Sequence, residues 1–260
     1  MNKKLSVIYF SPTGTTRKAT INMAESIDPD YIEYDITLPG SGLLPQFTSE
    51  DTIILGVPVY AGSAPQIALD RLNDIRGENT KIILVAVYGN RHFDDTFQEL
   101  SHFVQERGFQ TIAAAAFIGE HSYSNSQYPV AVGRPNSEDL KIAAEFGEKI
   151  RDILETSSLL NAPGNYPFEK RHAKFGSAAE IDFELCTNCG TCAANCPSAA
   201  IAYRDGKLSV EEDLCIYCCA CIRNCPTGAV QIQAKELSKF AKMLHENCSL
   251  PKIPELFLAE

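Results

Sequence analysis

The sequence predicts an α/β protein: a doubly wound, five-stranded parallel sheet followed by a small α+β module. Three observations carry this. Over residues 1–155, short apolar runs alternate with segments of helical period, the pattern of a sheet covered on both faces. A loop with four hydroxyl side chains and one glycine joins the first run to the first helix. Between Cys186 and Cys225, eight cysteines fall into two copies of one spacing.

The first strand is Leu5–Phe10 (LSVIYF). A helix from Thr15 to Ser26 follows it, with Ala19, Met23, Ala24 and Ile27 toward the core. Tyr31–Asp35 makes a half-polar second strand, and Thr52–Val59 (TIILGVPV) an almost wholly apolar third, as burial on both faces requires. Pro65–Leu72 opens on a proline, which suits a first helical turn. Lys81–Tyr88 (KIILVAVY) is the fourth strand, Asp94–Arg107 a helix stopped by Gly108, and Gln110–Phe117 the fifth strand. Ser137–Leu154 is a helix with Ser137 as N-cap and Glu138 and Asp139 in its first turn. Right-handed crossovers then order the strands 2-1-3-4-5.

Residues 156–180 carry Ser157, Ser158, Pro163, Gly164 and Pro167 without any period and read as a linker. Residues 181–233 hold the cysteine module. In 234–260, Ala234–Glu246 reads as a helix with Leu237, Phe240 and Leu244 on one face. The apolar tail after it is broken by Pro251 and Pro254 and reads as an extended arm.

Each cysteine copy is Cys-x2-Cys-x2-Cys-x3-Cys-Pro: Cys186, Cys189, Cys192 and Cys196 before Pro197, then Cys215, Cys218, Cys221 and Cys225 before Pro226, 29 residues on. This is an internal repeat of one metal-binding unit, with the spacing of bacterial ferredoxins. Two-residue gaps let three thiolates of one tight loop wrap a [4Fe–4S] cube, while the fourth cysteine reaches the other cube. Cluster one is therefore expected on Cys186, Cys189, Cys192 and Cys225, and cluster two on Cys215, Cys218, Cys221 and Cys196. A disulfide framework is disfavoured because no secretion signal is seen. Structural zinc leaves longer gaps between its cysteine pairs. Cys219 and Cys248 fall outside the register and read as buried apolar residues.

The loop Ser11-Pro12-Thr13-Gly14-Thr15-Thr16 lacks the lysine of a Walker loop and the GxGxxG of a dinucleotide loop. Its hydroxyls and the free amides of a helix N-terminus suit a terminal phosphate monoester. A Ser/Thr-rich N-cap is the structural alternative. Two further loops leave the carboxyl ends of neighbouring strands: Pro58-Val59-Tyr60-Ala61-Gly62 and Tyr88-Gly89-Asn90-Arg91. All three converge at the point where strand order reverses, the usual ligand crevice of such sheets.

The SPTGTT loop resembles the FMN phosphate loop of the flavodoxin family, Ser/Thr-x-Thr-Gly-x-Thr. Taken whole, residues 1–232 resemble the flavodoxin–ferredoxin fusions known as EFR1-family ferredoxins, found mainly in anaerobic bacteria and archaea. Besides the loops, the stretches VYGNRHFDD, AFIGEHSYS, Gly133–Pro135 and CxxCCAC carry the likeness. The resemblance implies a flavodoxin-like sheet joined to a ferredoxin-like two-cluster domain, with FMN and two [4Fe–4S] clusters as cofactors. It also implies Tyr60 or Tyr88 stacked on the flavin and Asn90 at its pyrimidine edge. Arg91 is expected to balance charge on the reduced flavin or to pair with Asp94 or Asp95. His121 reads as a solvated loop histidine, and His92, His102, His172 and His245 form no constellation.

The net charge is −10, with 13 basic against 21 acidic residues over 1–155. Such a surface argues against nucleic acid and anionic membranes and for basic patches on redox protein partners. No apolar run reaches the roughly 20 residues of a membrane span. The basic start Met1–Lys4 leads only into the first strand, so a cytoplasmic protein of a reducing or anaerobic host is expected. The leading function is electron transfer between the clusters and FMN, the flavin gating one- and two-electron steps. An FMN-dependent reductase fed by the clusters is the alternative, with Gly40–Glu50 and His121–Pro135 as walls of its substrate pocket. A redox sensor that uses its clusters mainly to fold is a third class. No nucleophile–base pair appears, and no catalytic residue is assigned. The long linker is compatible with a homodimer.

Overall fold

The computed structural model describes residues 4–169, 178–233 and 235–259. His172, the later part of the expected linker and the expected helix start at Ala234 lie outside them. In chain order the first part runs β1 (Lys4–Tyr9), α1 (Thr15–Ile27), β2 (Ile32–Asp35), β3 (Gln46–Phe47), β4 (Asp51–Pro58), α2 (Gln66–Arg71), β5 (Arg76–Gly77), β6 (Thr80–Tyr88), α3 (Thr96–Gln105), β7 (Phe109–Ile118) and α4 (Ser137–Ile153). The second runs β8 (Glu180–Ile181), α5 (Thr191–Ala194), β9 (Ile201–Arg204), β10 (Lys207–Val210), a 3-10 turn at Glu212–Leu214, α6 (Ala220–Asn224) and β11 (Val230–Gln231). It closes with α7 (Lys235–Asn247) and β12 (Glu255–Leu258).

The main sheet has the order β2-β1-β4-β6-β7-β12. Its first five strands are parallel and follow the expected 2-1-3-4-5 order, with short β3 and β5 paired off to one side. Successive side chains of a strand point to opposite faces. Val7 and Tyr9 therefore join Ile54, Val85, Met23 and Phe146 under α1 and α4. Ile8 and Phe10 join Leu55, Leu84, Leu69 and Phe97 under α2 and α3. Gly56 lets α1 lie close on the sheet, since a Cβ there would stand 2.3 Å from the Thr20 hydroxyl.

Three expectations change. The sheet has a sixth strand, because the tail beyond α7 returns as β12 and pairs antiparallel with β7, Glu255 opposite Ala116 through Leu258 opposite Ala113. Pro251 and Pro254 precede the paired residues and so leave its ladder intact. The N-cap of α4 is Asn136, not Ser137. The Asn136 side chain accepts from the Glu138 and Asp139 amides, and Asp139 in return accepts from the Asn136 amide at 2.8 Å. The Gly40–Glu50 stretch carries β3, which pairs with β5 and contributes no wall to the cavity described below.

The first half of the linker is packed rather than free. The Leu160 amide donates to Thr111 O at 2.8 Å, and Tyr166 stacks on His102 with ring centroids 5.6 Å apart. The cysteine module is two short antiparallel pairs, β9–β10 and β8–β11, around α5 and α6. Cys192, Cys196 and Cys221 stand in its small core beside Ala200, Ile201, Leu208 and Val230. Among the described residues no helix is long and apolar enough to cross a membrane.

Phe257 on β12 meets the rings of Phe93 and Phe97, with centroids 6.1 and 5.9 Å away. A buried Phe→Ala change costs about 3–5 kcal/mol. Phe257 is half-buried, so Phe257→Ala is expected to lower unfolding free energy by about 2 kcal/mol on that scale. Urea denaturation of the whole protein measures this, and an unchanged midpoint would mean that β12 merely rests on the sheet.

Candidate functional site

Above the carboxyl ends of β1, β4 and β6 the chain encloses a cavity of about 430 Å³, the size of a small-molecule site. Thr13 and Thr15 line one end, with their hydroxyls 3.4 Å apart. They sit at the N-terminus of α1, where the first amides have no partner within the helix. Gly14 makes this turn possible in a left-handed conformation, φ 80°. Pro58, Val59, Tyr60, Ala61 and Gly62 line a second side, and Tyr88, Gly89 and Arg91 a third.

Several candidates stand elsewhere. The Ser11 hydroxyl accepts from the Arg17 amide at 2.9 Å and so caps α1. Ser11, Gly14 and Thr16 are not in the cavity wall, and the Thr16 hydroxyl is buried without a hydrogen-bond partner. Asn90 is 2% exposed and outside the wall. Its amide donates to the carbonyls of Cys248 and Leu250, the latter at 2.9 Å, and so straps down the chain after α7. Tyr88 reaches the cavity, but its ring belongs to the core, edge-on to Phe93 at 5.9 Å. Burial raises its pKa to about 12. Arg91 is paired with Asp94.

Of the rest of the wall, only the stretch beginning at His121 was expected from sequence, as a wall of a substrate pocket. Gly119, Glu120, His121, Ser122 and Tyr123 follow β7. Phe240 and Leu244 come from α7, and Glu212, Asp213, Cys215, Ile216 and Tyr217 from the cysteine module. His121 is half-buried rather than solvated, its ring against Gly89, where a Cβ would stand 2.3 Å from the imidazole. Phe240 meets Tyr123 edge-on at 6.1 Å. Only the apolar face of α7 and the GEHSYS stretch hinted at these residues.

Two arginines fasten the module to the sheet. Arg71 donates to the Ile36 and Thr37 carbonyls and, across the boundary, to Pro197 O. Arg223 pairs with Glu120 at 3.2 Å and donates to His121 O at 2.8 Å.

None of the ten cysteines is in a disulfide. Cys196, Cys215, Cys218 and Cys221 line one small cavity of about 20 Å³, together with Cys219. Cys192 feels the charges of both Cys186 and Cys225. Cys196 of the first copy thus stands with three cysteines of the second, and Cys225 of the second lies near Cys192 of the first. Among the described residues no three His, Cys, Asp or Glu side chains converge enough to hold a single metal ion. Four grouped thiolates fit a cube, where each takes a different iron. The two groups differ in exposure: Cys189 is exposed, whereas burial pushes Cys218 up to about 12 and raises Cys215 and Cys221.

Residues 178–226 match the sequence profile of a family described as the 4Fe-4S dicluster domain. No curated protein matches the chain. Among solved structures, an archaeal flavodoxin is 11% identical at a TM-score of 0.41, covering 58% of this chain and 99% of that one. Flavodoxin 1 from Bacillus cereus is 20% identical at 0.40, covering 57% and 97%. A flavoprotein from Bacteroides uniformis is 19% identical at 0.35, covering 46% and 92%. At such scores the strand order itself, and not these likenesses, identifies the flavodoxin-like sheet.

Burial, aided by Arg223 and Arg91, lowers the His121 pKa to about 4 from an ordinary 6.5. The unfolded chain therefore takes up a proton at His121 between these values while the folded one does not, so stability falls as pH drops from 6.5 toward 4. His121→Gln is expected to flatten that part of the melting midpoint's pH profile. An identical slope in the variant would show that His121 does not titrate on unfolding.

Proposed function

We propose that the protein is an electron-transfer iron–sulfur flavoprotein that holds FMN in the large cavity and two [4Fe–4S] clusters in the cysteine module. The observation that carries this is one cavity walled on one side by the Thr13–Thr15 turn and on the other by Cys215–Tyr217. Thr13, Thr15 and the first amides of α1 would hold the phosphate. Tyr60, Tyr123 and Phe240 supply flat apolar walls for the isoalloxazine. Cys186, Cys189, Cys192 and Cys225 would hold one cube, and Cys215, Cys218, Cys221 and Cys196 the other.

When bound, the flavin takes two electrons singly and each cube takes one, which lets the chain gate between one- and two-electron partners. A carrier is favoured over a reductase because Ile216, Tyr217, Phe240 and Leu244 take up part of the same cavity wall with apolar bulk. The division into 1–155, 156–180, 181–233 and 234–260 belongs to this reading, as do a cytoplasmic setting and redox protein partners bearing basic patches.

Cofactor content after anaerobic purification tests it: about eight irons and eight acid-labile sulfides from two cubes, with one FMN per chain. Zinc in place of iron, or no flavin, would sink the proposal. Cys189→Ser is expected to lose iron and keep flavin. Thr13→Ala with Thr15→Ala removes charge-assisted hydrogen bonds and should weaken flavin binding at least about tenfold with iron unchanged. Equilibrium dialysis and iron assay read both variants.

A further inference from the structure

The two cysteine loops are copies that differ at six positions between their first and fourth cysteines. The second copy is larger at five of them, 29 residues on: Ile216 for Thr187, Tyr217 for Asn188, Cys219 for Gly190, Ile222 for Ala193 and Arg223 for Ala194, and smaller at one, Ala220 for Thr191. Ile216 and Tyr217 line the flavin cavity and, with Cys215, also line the small cavity of the second cysteine group. One stretch of chain is thus a wall common to both. Cys219 is 4% exposed and, like Cys218, near enough to Tyr60 and Tyr123 for its charge to raise their pKa values. Arg223 grips Glu120 and the His121 carbonyl, next to Tyr123.

Two of these replacements sit where the backbone resists them. Asn188 and Gly190 are left-handed, φ 57° and 74°, as asparagine and glycine readily are. Tyr217 and Cys219 keep the same conformations, φ 55° and 61°, which side chains of their kind rarely adopt. Strain retained in one copy, at the residues that meet the other domain, points to a use for those side chains.

We propose that the second cysteine group alone exchanges electrons with the flavin, through the shared wall, with Tyr217 and Cys219 as its positioning residues. The first group, with Cys189 exposed, then faces a one-electron carrier protein. This rests on reading the large cavity as a flavin site. Each transfer moves one electron and breaks no bond in the protein. The carrier would lose one electron and the flavin gain one, and two such transfers with two protons from water would complete the flavin's reduction. The reverse order runs when the flavin is the donor.

The double variant Tyr217→Asn with Cys219→Gly gives the second copy the residues of the first. Relief of the left-handed strain offsets part of the cost of removing two buried side chains, and an unchanged iron content shows that the variant is folded. Reduction of its flavin by reduced methyl viologen should slow by about tenfold, the scale on which residues around metal ligands act. In flavin-stripped protein, an EPR-monitored titration should show one cube's potential moved and the other's kept, since packing and solvent access tune each cube separately. An undiminished reduction rate, whatever the melting midpoint, overturns the proposal, and so do equal shifts at both cubes. Failure of the flavin reading itself would appear separately, as wild-type protein without bound flavin.

Discussion

The crevice that hosts the candidate site exists because the chain crosses over one way after β1 and the other way after β4. At that reversal the helices on either side diverge and leave an opening above the sheet. Everything else about the site follows from what the chain puts around it. The N-terminus of α1 supplies amides at one end, and the loops after β4 and β6 supply the flanks. A doubly wound sheet alone would leave the top of this crevice open to water. Here the loop after β7, the helix α7 and one stretch of the cysteine module close over it.

Most of the sheet was legible because its signals are local. Val, Ile and Leu runs a few residues long, punctuated by Gly and Pro, read by their length and β-branched content as strands buried on both faces. The cysteine module was legible because thiolate chemistry imposes its spacing. The outer strand was not. Glu255–Leu258 is four residues long and follows two prolines, and its partner β7 lies far back in the chain. The Asn136 cap escaped for a smaller reason: Asn136 and Ser137 are both good caps, and only the reciprocal bonds of Asp139 distinguish them.

The site was legible in its loops but not in its individual side chains. Tyr60 and Gly89 line the cavity, whereas Asn90 turns away to bind the carbonyls of Cys248 and Leu250. A loop residue's direction depends on what packs over the loop, and here that cover comes from more than 150 positions further along. Tyr217 and Phe240 were missed for the same reason. Nothing about an aromatic residue on a helix face or beside a cysteine says that it faces a cavity built by another part of the chain.

Because β12 pairs with β7, the cysteine module is not an appendage on one linker. It is an insertion, anchored at both ends to the same sheet. Bringing β12 home means closing a long loop, and the entropy lost is smaller when the loop is already compact. The edge of the sheet should therefore be zipped most readily after the module has collapsed around its own core. Folding of the sheet's last strand is in this way tied to the maturation of the cysteine module, and a chain whose module stays unfolded would expose the edge of β7 to other strands.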